Sequence, residues 1–252
     1  MHKIINLTPE KNASRSVGVY VDDHLADGIA YIKTYGDLTS TDWLNFDKLV
    51  NESVVFMFVR NPYDRLISSF IHTCLSLDYV LDFPEWYFDL PINKENQLKC
   101  FKKFCLSFAK DGGIDNQHIK LQTKVIDEHV KMIDSKFGKP TGKFDNFSII
   151  PYIENEKIFI GRVEYIKRDL PTLVLHFDDN LLVRTKYVSS RNNYDMLSEE
   201  GLKNINTTVP EWIGDNSTAK FSKDYRDWYD DELYDLMTPI FKKELEVLNY
   251  GF

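Results

Sequence analysis

Six consecutive apolar residues, Val54-Val55-Phe56-Met57-Phe58-Val59, run straight into Arg60-Asn61-Pro62. A strand with one wet face alternates apolar and polar side chains. A run with no polar position fits a strand buried on both faces, as in a parallel sheet covered by helices. Pro62 has a fixed φ and no N–H to donate, which suits the first turn of a helix. Leu66, Ile67, Phe70, Ile71 and Cys74 follow at helical spacing and predict a helix reaching Asp78.

Other segments read in the same alternating way. Lys3 to Leu7 predicts a short strand, Thr8 to Ser16 a polar turn, and Ser14 to Val19 the start of a helix. Thr34 to Asp42 reads as a loop. Gln97 to Lys110 reads as a helix stopped at Gly112-Gly113, and Lys157 to Gly161 as a strand. Val163 to Phe177 reads as a helix with a kink site at Pro171. Asp224 to Leu248 reads as one long amphipathic helix carrying Trp228, Leu233, Leu236, Met237, Phe241, Leu245 and Leu248. Strands alternating with helices predict an α/β fold with a central, mostly parallel sheet. There is no repeat and no Pro/Gly/Ser linker in the 252 residues, so one domain, 1–252, is expected.

The formal charge is −8. That excludes a global electrostatic grip on nucleic acid and disfavours highly sulfated polyanions as partners, while leaving room for a local basic pocket. Cys74, Cys100 and Cys105 match no zinc spacing and read as free, mostly buried thiols of a reducing compartment. No metal site is expected. There is no signal peptide and no apolar run long enough for a membrane span, so a cytoplasmic location is expected. The N-x-S/T sequons at Asn6, Asn12, Asn51, Asn146, Asn206 and Asn216 bear on this, because a glycan on Asn12 would obstruct the loop considered next.

Two constellations carry chemistry. Arg60 ends the buried strand, at the sheet edge where open α/β folds bind ligands. Ser68 lies about two turns into the next helix, so its hydroxyl can face back toward the strand end. A guanidinium and a hydroxyl converging there suit a phosphate monoester. The alternative is a strand-end charge and a helix-surface serine, and spacing alone leaves both open. Near the N-terminus, Pro9-Glu10-Lys11-Asn12-Ala13-Ser14-Arg15-Ser16-Val17 joins a strand to a helix. A polar loop with Lys and Ser at a helix start makes an anion cradle. It has no glycine and no G-x-x-x-x-G-K-[ST], which disfavours an ordinary ATP or GTP loop. Its plain alternative is a helix start with a solvent lysine.

The segment Val59 to Phe70 resembles the 3′-phosphate element of sulfotransferases that use 3′-phosphoadenosine 5′-phosphosulfate (PAPS), roughly V-R-[DN]-P-[FY]-x-R-L-x-S-x-[FY]. Lys11 to Ser16 resembles their 5′-phosphosulfate loop, P-K-[TNC]-A-[SGC]-[ST]-S, with Glu10 inserted before the lysine and Arg15 where a small hydroxyl residue is usual. Asp115 to Gln122 resembles the H-W-x-x-Q segment without its Trp, and Phe159 to Glu164 resembles a "vGk-E" strand. Ser189-Ser190-Arg191-Asn192 falls where the family has a late polar loop over the cofactor. The ending Phe241 to Phe252 resembles the D-F-E-x-F-G-Y tail. The likeness is patchy, spans nearly the whole chain, and looks closest to the carbohydrate (family 2) branch.

The resemblance implies a P-loop-like three-layer sandwich and a PAPS donor, with 3′,5′-adenosine bisphosphate as product. It implies an acceptor hydroxyl, probed first among carbohydrates, and in-line displacement without a metal. It assigns the 3′-phosphate to Arg60 and Ser68, and the 5′ side to Lys11, Asn12, Ala13, Ser14, Arg15 and Ser16, with Ser190 and Arg191 closing over. Lys11 is the candidate for stabilising the bridging oxygen. Where related enzymes carry a catalytic His in a G-H-x-x-x-x-D context, this chain has Gly36-Asp37. Asp37, His24 and His118 are the candidate bases, and the residues do not choose among them. His2, His72, His129 and His176 are read as structural or surface residues. Trp86-Tyr87-Phe88 can stack on a sugar or pack a loop. Two other classes stay open: a non-catalytic glycan- or nucleotide-binding module on this fold, and a P-loop kinase-like enzyme. Acceptor identity and oligomeric state are not readable.

Overall fold

The computed structural model describes residues 3–25, 29–75, 96–110, 119–136, 144–176 and 224–251. They divide into two compact units, each drawn from two stretches of chain. One takes its residues from Met1–Arg60 and Thr123–Gly214, the other from Asn61–Gln122 and Asp215–Phe252.

The first unit is built on a parallel sheet of β1 (Lys3–Asn6), β2 (Ala30–Ile32), β3 (Ser53–Val59) and β4 (Phe159–Arg162), in the order β2-β1-β3-β4. Ile4 pairs with Tyr31 on one side and Val54 on the other, and Phe58 pairs with Gly161. β3 is paired on both edges and, from Val55 to Val59, buried on both faces, which is why that stretch is uniformly apolar. Helices α1 (Ser14–Asp23), α2 (Ser40–Leu44), α3 (Phe46–Glu52), α6 (Gln122–Lys136), α7 (Ile150–Glu154) and α8 (Ile166–His176) accompany the sheet. Val17, Tyr20 and Val21 of α1 and Ile166, Leu170 and Leu173 of α8 pack with Ile4, Phe56 and Phe58 on one face. Ile5, Val55, Met57 and Val59 alternate with these and are equally buried toward the other face. This is the α/β sandwich of a parallel sheet flanked by helices that the sequence predicts.

The second unit is helical and aromatic. α4 (Pro62–Leu75), α5 (Gln97–Lys110) and α9 (Asp231–Val247) share a core of Tyr63, Leu66, Ile67, Phe70, Phe101, Phe104, Phe108, Trp228, Met237 and Phe241. The apolar core residues of α4, Tyr63, Leu66, Ile67, Phe70 and Ile71, fall at i, i+3, i+4, i+7 and i+8, the spacing of one helix face. The Tyr63 ring stands edge-on to Tyr229 and Phe241, with centroids 5.1 and 5.0 Å away. Its hydroxyl meets Thr238 Oγ1 at 2.6 Å. Cys100 and Cys105 are free and buried.

Several boundaries differ from the sequence expectation for local reasons. The expected helix from Asp224 to Leu248 is a 3₁₀ turn (Tyr225–Trp228) and then α9. Asp224 caps the first by accepting from Arg226 N, and Asp230 restarts the chain by accepting from Leu233 N at 2.8 Å. The Thr34 to Asp42 loop contains a 3₁₀ turn (Tyr35–Asp37) and the start of α2, each opened by a capping box. α8 is preceded by a 3₁₀ turn (Val163–Tyr165) and carries Pro171 within it. α4 is described to Leu75. Among the described residues no helix is long and apolar enough to cross a membrane, and no group of three His, Cys, Asp or Glu side chains is placed to hold a metal.

Gly161 sits where only hydrogen fits. A Cβ there would lie 2.5 Å from Cε1 and Cζ of Phe58, a fully buried ring. Gly161→Ala should destabilise the fold by roughly 1–3 kcal/mol, read by chemical denaturation. A second prediction concerns Asp127 of α6, which accepts from Ile149 N at 2.8 Å. Burial pushes its pKa up to about 6, against the opposing pull of the Ile149 N–H and Lys131. The folded chain therefore keeps a proton that the unfolded chain loses near pH ~4. Stability should fall as pH rises from about 4 to about 6, then level off. Thermal melts of Asp127→Asn should lack that part of the slope.

Candidate active site

Chain order decides where a ligand can enter the first unit. From β1 the chain moves to β2 on one side, then returns to β3 on the other. The carboxyl ends of β1 and β3 therefore flank a topological switch point, the crevice where α/β sheets bind ligands. The loop after β1 is the lysine loop, and Arg60 directly follows β3. The structure brings these two sequence features to one edge of one sheet.

The loop is held there by side chains acting in place of strand pairing. Leu7 N donates to Phe56 O at 2.8 Å and is the last ladder bond. Beyond it, Phe58 N donates to Thr8 Oγ1 at 3.0 Å, and Asn12 Nδ2 donates to Phe58 O at 3.0 Å. Asn6 shapes the exit: its Oδ1 accepts from Thr8 N at 2.9 Å, and its Nδ2 donates to the Tyr31 hydroxyl at 3.2 Å. Burial raises the Tyr31 pKa to about 12, so that hydroxyl stays protonated.

Without any glycine, the loop still places two residues in the left-handed region: Lys11 at φ 67° and Ala13 at φ 56°. Non-glycine residues take this conformation rarely, and such strain gathers at functional sites. Ala13 is the N-cap of α1, and its methyl group cannot cap the first-turn N–H groups. Helix N-terminal amides and the dipole favour an anion, and the partly buried Ser14 and Ser16 stand in the same turn. Of Arg15 only the backbone is described. Asn12 is fully buried, and its amide is the tie between loop and β3. Arg60 is only 4% exposed. A guanidinium buried that far requires polar or anionic partners.

In the second unit, Ser68 lies on α4 one turn beyond Asp64. Those two are the partly open positions among the buried residues 60–71. Asn61 acts as the N-cap of α4: its Oδ1 accepts from Tyr63 N at 3.0 Å. Its Nδ2 donates to Gly251 O at 3.0 Å and to the Tyr225 hydroxyl at 3.3 Å, so the tail and the motif are one piece of structure. Arg65 is buried and donates to the Lys120 carbonyl.

The candidate bases fare differently. Asp37 follows β2, on the same sheet edge as the loop. Its Oδ2 accepts from Thr34 N at 3.2 Å and closes a capping box. His24 lies at the far end of α1. Ten residues rising about 1.5 Å each carry it about 15 Å from the loop. There its ring stacks on Tyr20, with centroids 4.2 Å apart, and Nδ1 meets Tyr20 O at 2.7 Å. His118, Ser190, Arg191 and the Trp86-Tyr87-Phe88 stretch lie outside the described residues. His129 of α6, read from the sequence as a structural or surface residue, has its ring edge-on to Tyr35 at 4.9 Å, beside the turn that holds Asp37. Sequence reasoning passed over the anchoring roles of Asn6, Thr8 and Asn61. The short Asn6-x-Thr8 pattern at a strand end was the available signal for the first two.

Comparison with known proteins places the chain in a family. The family model described as "Sulfotransferase family" matches residues 21–251, nearly the whole chain, and the chain belongs to that family. The matched stretch contains Arg60 and Ser68 and begins after the lysine loop. No curated protein and no solved structure matched.

Asn12→Ala should leave the buried Phe58 carbonyl unpaired and cost about 1–3 kcal/mol of stability. Amide exchange in residues 8–14 should accelerate more than in α8. Equal acceleration in both would show that the tie is not local.

Proposed function

We propose that the chain is a PAPS-dependent sulfotransferase acting, as a single domain 1–252, on the hydroxyl of a carbohydrate acceptor. The supporting observation is the lysine loop, strained at Lys11 and Ala13 and held on β3 at the switch point, on the edge that also carries Arg60. Family membership supports the reaction class. The carbohydrate acceptor rests on the sequence resemblance alone.

When bound, the donor supplies the sulfuryl group that passes in line to the acceptor oxygen. The residues present suit its anionic parts. The first-turn amides of α1, with Ser14 and Ser16, hold the 5′-phosphate. Arg60 and Ser68 take the 3′-phosphate, by resemblance to the family motif, with the guanidinium giving charge-assisted hydrogen bonds. Lys11 donates to the bridging oxygen as negative charge gathers on it. Asp37 is the proposed base. Its two bonds to Thr34 leave acceptor capacity on the carboxylate for an incoming hydroxyl. The capping role of Asp37 also favours a second reading, a module that binds nucleotide or glycan without turnover. Tight binding of 3′,5′-adenosine bisphosphate with no transfer across a broad acceptor panel would select it.

Calorimetry with 3′,5′-adenosine bisphosphate and transfer of labelled sulfate from PAPS test the assignment together. Arg60→Ala should weaken binding by about 10- to 100-fold. Lys11→Ala should keep most of the binding and lose roughly 100-fold or more in turnover. Unchanged binding in Arg60→Ala would sink the 3′-phosphate assignment.

A further inference from the structure

The opposite, amino edge of the sheet carries a concavity. α3 leads into β3 and α7 leads into β4, so both helices lie where strands begin. Between them is a cavity of about 710 Å³ whose walls include Trp43, Asp47, Asn51, Phe147, Tyr152 and Lys157. That size falls within the roughly 300–1,000 Å³ of small-molecule sites.

Its polar groups come in facing pairs. Asp47 and Asn51 are one turn apart on α3 and share a face. Across from them, the Tyr152 hydroxyl donates to Asp47 Oδ1 at 3.0 Å, and Lys157 Nζ donates to Asn51 Oδ1 at 3.4 Å. Burial and the adjacent Asp47 carboxylate push the Tyr152 pKa up to about 12, so the phenol remains a donor. The second carboxylate oxygen, the Asn51 NH₂ and the other ammonium protons add mixed acceptor and donor capacity. One carboxylate and one ammonium offset each other, so the cavity selects neither an anion nor a cation.

Its apolar walls are flat. Phe147 and Tyr152 are half-buried and near-parallel, with centroids 6.3 Å apart and planes at 23°. Trp43 backs them edge-on to Phe147 at 5.4 Å, and Leu44 on the rim is 50% exposed. Trp43 is itself buried, and its Nε1 has no hydrogen-bond partner among the described residues.

We propose that this amino-edge cavity binds a neutral saccharide, at a site separate from the carboxyl-edge transfer site. A sugar ring presents an apolar C–H face to the aromatic rings. Its hydroxyls both donate and accept, as the Asp47, Asn51 and Lys157 side chains require. The proposal does not depend on sulfuryl transfer.

Saturation-transfer NMR with lactose, cellobiose, maltose and diacetylchitobiose tests it, on the full chain with 3′,5′-adenosine bisphosphate present. At least one sugar should bind. Asn51→Leu and Asp47→Ala should each weaken that binding by about tenfold or more. Arg60→Ala should leave it unchanged. Asn51 is exposed on α3 and Leu is a good helix former, so Asn51→Leu should keep the fold, checked by its thermal melt. No binding by any of the four sugars overturns the proposal, as does binding that survives Asn51→Leu or is lost in Arg60→Ala. Sulfate transfer measured on the same variants tells a failure here from a failure of the transferase reading.

Discussion

Phe58 is the residue on which the first unit turns. Its ring fills the space that Gly161 leaves open, and its backbone N–H and C=O are taken by Thr8 and Asn12. The strand ladder ends at Leu7, and two side-chain hydrogen bonds continue it around the corner. That substitution lets the chain leave the sheet abruptly while staying against β3. A loop so anchored can hold left-handed Lys11 and Ala13 without glycine, because the surrounding bonds over-determine its path. Without the anchor, the unfavourable backbone angles would relax and the amides of α1 would lose their fixed aim.

A similar economy holds in the segment after β3. Most of the motif there builds structure. Asn61 caps α4 and ties down Tyr225 and Gly251. Tyr63 joins Thr238 and the aromatic core, Arg65 holds the Lys120 carbonyl, and Phe70 packs among Phe101, Phe104 and Trp228. Chemistry is left to few positions, Arg60 and Ser68 in the proposed function. A motif can thus look wholly functional while most of its letters secure a helix.

Candidate residues of similar type separate once backbone direction is known. His24 and Lys11 are close in sequence, yet α1 carries His24 away from the loop and folds its ring onto Tyr20. Asp37 stays on the sheet edge of the loop and serves as a capping group. His129, far along the chain, comes to the same turn through Tyr35.

The sequence alone determined the features set by nearest neighbours along the chain. These are a strand buried on both faces, a proline-started helix, a helix opening after a polar loop, and an α/β alternation. Burial patterns of period two and 3.6, and the fixed φ of proline, are local properties and can be read locally. Tertiary structure decided what depends on distant partners. The order β2-β1-β3-β4 creates the switch point, and no pattern of residues states a strand order. That Asn12, read in sequence as part of the cofactor loop, is also a buried tie depends on Phe58, 46 residues away. The break before α9 follows from a cap at Asp230 within an otherwise continuous apolar period. The amino-edge cavity joins Asp47 to Tyr152 across 105 residues, a juxtaposition that exists only after the sheet has brought α3 and α7 side by side.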